Sequence, residues 1–181
     1  MLGILQGRLT KPWNGELQCF PKGAWEKEFE LAHACGFDEL ELFVEQQHNA
    51  DNPCWTLDGR RRIRELGRQH GVAVPTLCAD CFIDRPFVRV VPAARAESSA
   101  LLTRVIERSA AAGIPVVLVP VLEGGAIVTA QDERDLLDAL AAPLAAAGRL
   151  GIGVALESDW TGAALRALKQ NRASAACVSL G

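Results

Sequence analysis

Several polar groups stand at or just behind short apolar runs of this chain, and their types could do chemistry on a polar substrate. Gln6, Gly7 and Arg8 follow LGIL, and Glu41 ends ELE. Cys78 and Asp80 follow VPTL, Glu123 follows VPVL, and Glu157 follows GVAL. A glutamate there is a carboxylate on the boundary of a low-dielectric core. Burial and mutual repulsion can raise its pKa into the acid–base range, or the group can collect a hard divalent cation. Singly, each glutamate has a plainer use, pairing with an arginine or capping the next helix. Three together on one face point to a site. Gln6, Arg8, Glu41, Asp80 and Glu123 are therefore candidate substrate contacts. His48, in a long loop on the same face, joins them. His33 falls inside a helical pattern and His70 at a helix end, where surface or capping roles suffice.

Other chemistries find less support. Cys78-Ala-Asp-Cys81 has the spacing of zinc and thiol redox motifs. No second C-x-x-C or H-x-x-x-H supplies the remaining zinc ligands. The residues after Cys81 read as loop, whereas a redox cysteine favours a helix N-terminus. Cys19, Cys35, Cys54 and Cys177 read as reduced thiols, several of them in the core. No serine stands in a nucleophile-elbow sequence, no G-x-G-x-x-G follows the first strand, and no P-loop sequence occurs.

The elements that must position the candidates follow from hydrophobic periodicity. Apolar strands are expected at Leu2–Leu5, Glu39–Phe43, Val72–Cys78, Pro115–Leu122, Gly153–Glu157 and Ala175–Leu180. Helices are expected at Trp25–Cys35, Leu57–His70, Ala93–Ala112, Ala130–Leu150 and Gly162–Lys169. Pro143 should bend or restart the fourth helix. The βα alternation and the Val/Ile/Leu-rich strands predict an α/β fold with a parallel sheet. Helix-to-strand connections are short, while strand-to-helix connections are long and polar. That puts the working face at the carboxyl ends of the strands, as in a barrel.

With 181 residues, 49% of them hydrophobic, the chain is expected to form one domain over 1–181. A net charge of −3 gives no support for nucleic-acid or membrane-surface binding. The basic run RRRIR at 60–64 is expected on a solvated helix face. The chain has no apolar run of membrane-spanning length and no basic-then-apolar leader, so a cytoplasmic location is expected.

In order along the chain occur GILQGRL at 3–9, NGELQCFP at 14–21, GFDELEL at 36–42 and NP at 52–53. CADCFIDRPF at 78–87, VPVLE at 119–123 and ALE at 155–157 follow. Together these segments resemble the sugar phosphate isomerase/epimerase group of the xylose-isomerase-like TIM barrels. The resemblance implies a (β/α) TIM-barrel fold and a divalent metal, Mn, Mg or Co. It also implies a sugar or sugar-phosphate substrate, isomerised or epimerised through a metal-stabilised enediolate. In that group the metal ligands are a Glu ending strand five, an Asp ending strand six, a His ending strand seven and a Glu ending strand eight. Glu157 matches the first, as both metal ligand and catalytic acid/base. Ser179 stands where the aspartate is expected. A full barrel of this type runs to about 250 residues. The expectation is thus a truncated barrel of five βα units plus a sixth strand, short of most metal ligands and inactive as this chain if they are missing. Its exposed edge strands could pair as a homo-oligomer. The alternative is a non-catalytic carbohydrate-binding or interaction protein that pairs its open barrel edge with another chain.

Overall fold

A computed structural model describes residues 1–12, 15, 19–45, 49–160 and 178–179. Strands β1 (Gly3–Leu5), β2 (Glu39–Phe43), β3 (Thr76–Cys78), β4 (Val116–Val121), β5 (Gly153–Ser158) and β6 (Val178–Ser179) form one sheet in sequence order. Every neighbouring pair is parallel. Helices α1 (Lys27–Ala34), α2 (Leu57–His70), α3 (Pro92–Ala112) and α4 (Ala130–Leu150) connect the first five strands. The result is an arc of a (β/α) barrel. The expected helix over 162–169, and all of the expected last strand except Val178 and Ser179, lie outside the described residues.

Period-two alternation divides each strand between two environments. Leu40, Leu42, Leu77, Val117, Val119, Val154 and Leu156 pack on the helices in one core with Phe29, Ile63, Leu102, Ile106 and Leu136. The alternate residues Glu41, Phe43, Thr76, Cys78, Leu118, Pro120, Ala155 and Glu157 therefore face the barrel interior. One rung of that inner face runs Phe43–Cys78–Leu118–Ala155 through the strand register. Ser179 pairs with Ala155, two residues short of the level of Glu157.

Two prolines explain where the ladders stop. The expected strand Val72–Cys78 shortens to Thr76–Cys78 because Pro75 has no N–H to donate; upstream only a bridge between Glu39 and Ala73 remains. Pro120 sits inside a central strand, normally a poor place for it. Leu118 O accepts from Ala79 N, so Leu118 and, by alternation, Pro120 turn toward β3. By that level β3 has left the sheet, and Cys81 N donates to Val44 O instead. Pro120 therefore forfeits no ladder bond.

Helix ends follow their sequence signals. Thr56 Oγ1 accepts from Gly59 N at 3.0 Å to cap α2, and Gly71 closes that helix at φ 67°. Thr129 and Asp132 form a reciprocal capping box at the start of α4. The expected bend or restart at Pro143 does not occur: α4 is a single helix from Ala130 to Leu150. A proline at 143 cannot donate to the carbonyl four residues back, which is Ala139 O. Ser99 Oγ of α3 donates to that carbonyl at 2.7 Å. The orphaned acceptor thus becomes a tie between α3 and α4.

The basic run at 60–64 is not a solvated face throughout. Arg60 is 6% exposed, and its Nη1 donates to Cys54 O at 2.9 Å. Arg62 pairs with Glu26 at 2.6 Å, and Arg64 bonds Ala111 O at the end of α3. Three of these arginines fasten neighbouring segments because the run lies where α2 meets the loop before it and the two flanking helices.

Ser99→Ala should destabilise the fold by about 1 kcal/mol. The cost should largely vanish in a Pro143→Ala background, where the helix supplies its own N–H. Urea unfolding of the four variants checks this, and equal costs in both backgrounds would refute the proposed role of Ser99.

Candidate active site

The loops after β1 and β2 and the turn after β4 are each held by one polar side chain, buried in the first two cases and half-exposed in the third. After β1 the chain turns through Gly7 at φ 86°, where a Cβ would meet Cys19 O at 2.8 Å. Gly7 N donates to Glu28 Oε2 at 2.7 Å, and Thr10 Oγ1 donates to Glu28 Oε1 at 2.8 Å. Glu28 is fully buried, and those two bonds satisfy a carboxylate that would otherwise be costly there. Sequence reading missed Glu28. Its signal was an acid four residues before Ala32, on the same helical face, in an otherwise apolar stripe.

After β2, Asn52 plays the corresponding part. Its Nδ2 donates to Phe43 O and to Glu45 Oε2, both at 2.9 Å, and its Oδ1 accepts from Cys54 N at 3.1 Å. The 3-10 turn Pro53–Trp55 that follows lies against α2 so closely that a Cβ on Gly59 would come within 2.3 Å of Pro53 O. Between β3 and α3, Arg89 adopts φ 55°, a strained value for a side-chain-bearing residue. Its guanidinium donates to Asp132 Oδ2 at 2.8 Å, Ala126 O at 2.7 Å and Gly124 O at 2.7 Å. Arg89 thereby clamps the turn after β4 in which Glu123 sits.

The candidate residues are not all brought together. Gln6 is buried; its Oε1 accepts from Phe43 N at 3.2 Å, continuing the β1–β2 contact past the end of the strand. Its Nε2 has no hydrogen-bond partner among the described residues. Arg8 is exposed in the following turn. Glu41 is not a strand-end residue: β2 runs on to Phe43, and Glu41 Oε2 accepts from Thr76 Oγ1 on the adjacent strand. Asp80 is 8% exposed in the 3-10 turn Asp80–Phe82. Glu157 lies on β5 one residue before its end, and its side chain is exposed. Glu123 is exposed at φ 51° beyond β4. His48 lies outside the described residues.

Three of these carboxylates act electrostatically on Cys78. Its thiol is held in the neutral form, first by burial and then by the negative charges of Glu41, Asp80 and Glu157. The inner face of β2, β3 and β5 is therefore acidic, with one buried thiol in its midst. The three-glutamate metal cluster is not formed: no group of three or more His, Cys, Asp or Glu among the described residues could hold a metal ion. Glu41 is tied down within its strand by Thr76, Glu123 is exposed at a positive φ beyond β4, and Glu157 is exposed near the end of β5. On their own, the described residues do not fit a divalent metal.

Residues 29–171 match the profile of the xylose isomerase-like TIM barrel. The chain belongs to that family. Over 99 residues this xylose isomerase-like barrel is 25% identical to a Haemophilus influenzae protein proposed to be an L-ribulose-5-phosphate 3-epimerase, a stretch covering 54% of this chain and 35% of that one. Its fold is similar to that of a D-psicose 3-epimerase solved in the presence of D-fructose, with a TM-score of 0.71 and 16% identity over 98% of this chain and 62% of the other. It is also similar to a Mycobacterium smegmatis protein of the same barrel type solved with magnesium, with a TM-score of 0.63 and 15% identity over 96% and 60% of the two chains. The chain thus spans less than two thirds of the length of each of these relatives. No helix among the described residues is long and apolar enough to cross a membrane.

Gly59→Ala should cost about 1–3 kcal/mol, because backbone rather than a movable side chain blocks the new methyl group. Gly124→Ala, with nothing within 4 Å, should leave the denaturation midpoint nearly unchanged. A second expectation concerns pH. Burial, with help from Glu45, pushes the Cys54 thiol from 9.0 to about 12, and burial likewise pushes Cys81 to about 12. Their contribution to stability is complete below pH 9 and is lost as pH rises from 9 towards about 12, because only the unfolded chain ionises there. Urea titrations at pH 8 and pH 10 should show this decline, with a shallower slope in Cys54→Ala/Cys81→Ala.

Proposed function

We propose that this xylose isomerase-like barrel binds a sugar or sugar phosphate at the carboxyl end of its sheet and moves the proton on the carbon beside the carbonyl. The observation that carries the reading is that the charges of Glu41, Asp80 and Glu157 all act on one inner-face thiol, at the end of the sheet bordered by the long loops. In a fold shared with sugar epimerases, such a group of carboxylates suits hydroxyl recognition and proton transfer.

In this reading Glu157, exposed at the end of β5, takes the proton from the carbon adjacent to the carbonyl. The electron pair left behind forms the enediolate. Return of the proton to the neighbouring carbon gives the aldose–ketose isomer, and return to the opposite face of the same carbon gives the epimer. Gln6 and Asp80 orient hydroxyls, Glu41 accepts from them while held by Thr76, and exposed Arg8 meets a phosphate where the sugar carries one. Glu123 and His48 are proposed as contacts from the surrounding loops. A divalent ion would polarise the carbonyl, as ions do in metal-assisted proton abstraction. The described residues supply one of its expected ligands, so no step is assigned to it.

The donor set among the described residues also favours a second reading, carbohydrate binding without turnover. The two readings separate by hydrogen exchange in D₂O. Ketoses and ketose phosphates, with and without Mg²⁺, Mn²⁺ or Co²⁺, should incorporate deuterium beside the carbonyl, followed by NMR. Glu157→Gln should slow that exchange by about 10²-fold or more. Absence of exchange across the panel, together with calorimetric binding of the same sugars, would overturn the catalytic reading and establish the second.

A further inference from the structure

A cavity of about 450 Å³ lies outside the barrel interior, between the loops that follow β2 and β3 and the first half of α3. Its volume is in the range of small-ligand sites. Trp55 supplies an aromatic wall, and Arg85 from the β3–α3 loop and Arg104 from α3 face the same space. Glu45 and Glu97 line it as well. Neither arginine forms an ion pair with a described carboxylate, although both glutamates border the same cavity. Asn49, 8% exposed, adds a side-chain amide whose Nδ2 has no hydrogen-bond partner among the described residues. A buried amide donor left unpaired costs about 1–3 kcal/mol. Sites of that kind are explained by a ligand or by stored strain.

The chemistry of this lining is specific. Two guanidinium groups favour one anionic group, which each can hold with paired N–H donors. Carboxylates and an amide favour hydroxyls. The indole face favours the apolar face of a ring. We infer that this cavity is a separate binding site for a sugar bearing one anionic group, a phosphate or a carboxylate. It is distinct from the inner-face carboxylates, because Val44 and Cys81 in its wall belong to the core on the helix side of the sheet. A ligand held there would bridge the β2–α2 and β3–α3 loops, which carry Glu45, Asn52 and Asp80.

The probes are glucose 6-phosphate, glucuronate, glucose and inorganic phosphate, followed by calorimetry and by tryptophan fluorescence with Trp55→Phe as the assignment control. At least one of the two sugar anions should bind, and whichever does identifies the anionic group. Glucose and inorganic phosphate should each bind about tenfold or more weakly. Arg85→Ala/Arg104→Ala, two exposed positions whose loss leaves the core intact, should weaken the sugar anion by about tenfold or more. Glu157→Gln should leave its affinity unchanged, which separates this site from the proposed catalytic one. Unaltered binding in the double arginine variant would overturn the inference, as would loss of binding in Glu157→Gln. Equal binding of inorganic phosphate, or no binding of either sugar anion, would do the same.

Discussion

The parallel ladder is the constraint on which everything else rests. Because side chains alternate across each strand, a single register decides two surfaces together. Leu40, Leu77, Val117 and Val154 go to the helices, while Glu41, Cys78, Leu118 and Ala155 go to the interior. A slip of one residue would bury Glu41 and Glu157 under the helices and turn leucines into the barrel. The hydrophobic stripes of α1 to α4 exclude that slip. The acidic inner face is thus a by-product of how strongly the outer face is specified.

Single polar side chains hold the carboxyl-end loops in place. Glu28 secures the loop after β1, Asn52 the loop after β2, and Arg89 the turn after β4. Each is matched to backbone N–H or C=O groups that a loop cannot pair with itself. Ser99 does the same for the carbonyl that Pro143 abandons. The common device is one side chain that completes the hydrogen bonding of a neighbouring segment. Rigidity at the candidate site therefore comes from outside the strands, and the backbone strain at Arg89 and Glu123 is offset by the three bonds of one guanidinium.

The thiols illustrate the electrostatics. Cys78 and Cys81 share a C-x-x-C spacing, yet they divide between the two sides of β3 and its continuation. Cys81 joins the core with the helices, whereas three carboxylates act electrostatically on Cys78. Burial and negative charge both favour the neutral thiol, the reverse of what a redox or zinc cysteine requires. The same field would draw cations and hydroxyl donors toward the interior, which is the property a polyol site needs.

Much of the fold was legible in the sequence. Helices α2 and α4 and strand β2 have the boundaries that periodicity predicts, and β1, β4 and α3 differ by a residue or two at their ends. The departures have physical causes: Pro75 lacks a ladder donor, and Pro143 finds an outside partner for the carbonyl it leaves. Among the candidate residues, type and strand placement were readable for Gln6, Asp80 and Glu157. Whether Glu41 and Glu123 would meet Glu157 was not, because that depends on backbone torsion at 123 and on a partner, Thr76, 35 residues away. Local pattern alone determined the order of elements and the polarity of each strand face, since both arise from short-range periodicity. Only the tertiary structure decided which carboxylates share a field, that Arg60 is buried, and that the thiol of Cys78 stands among the acids. Those outcomes depend on register and packing between segments far apart in the chain.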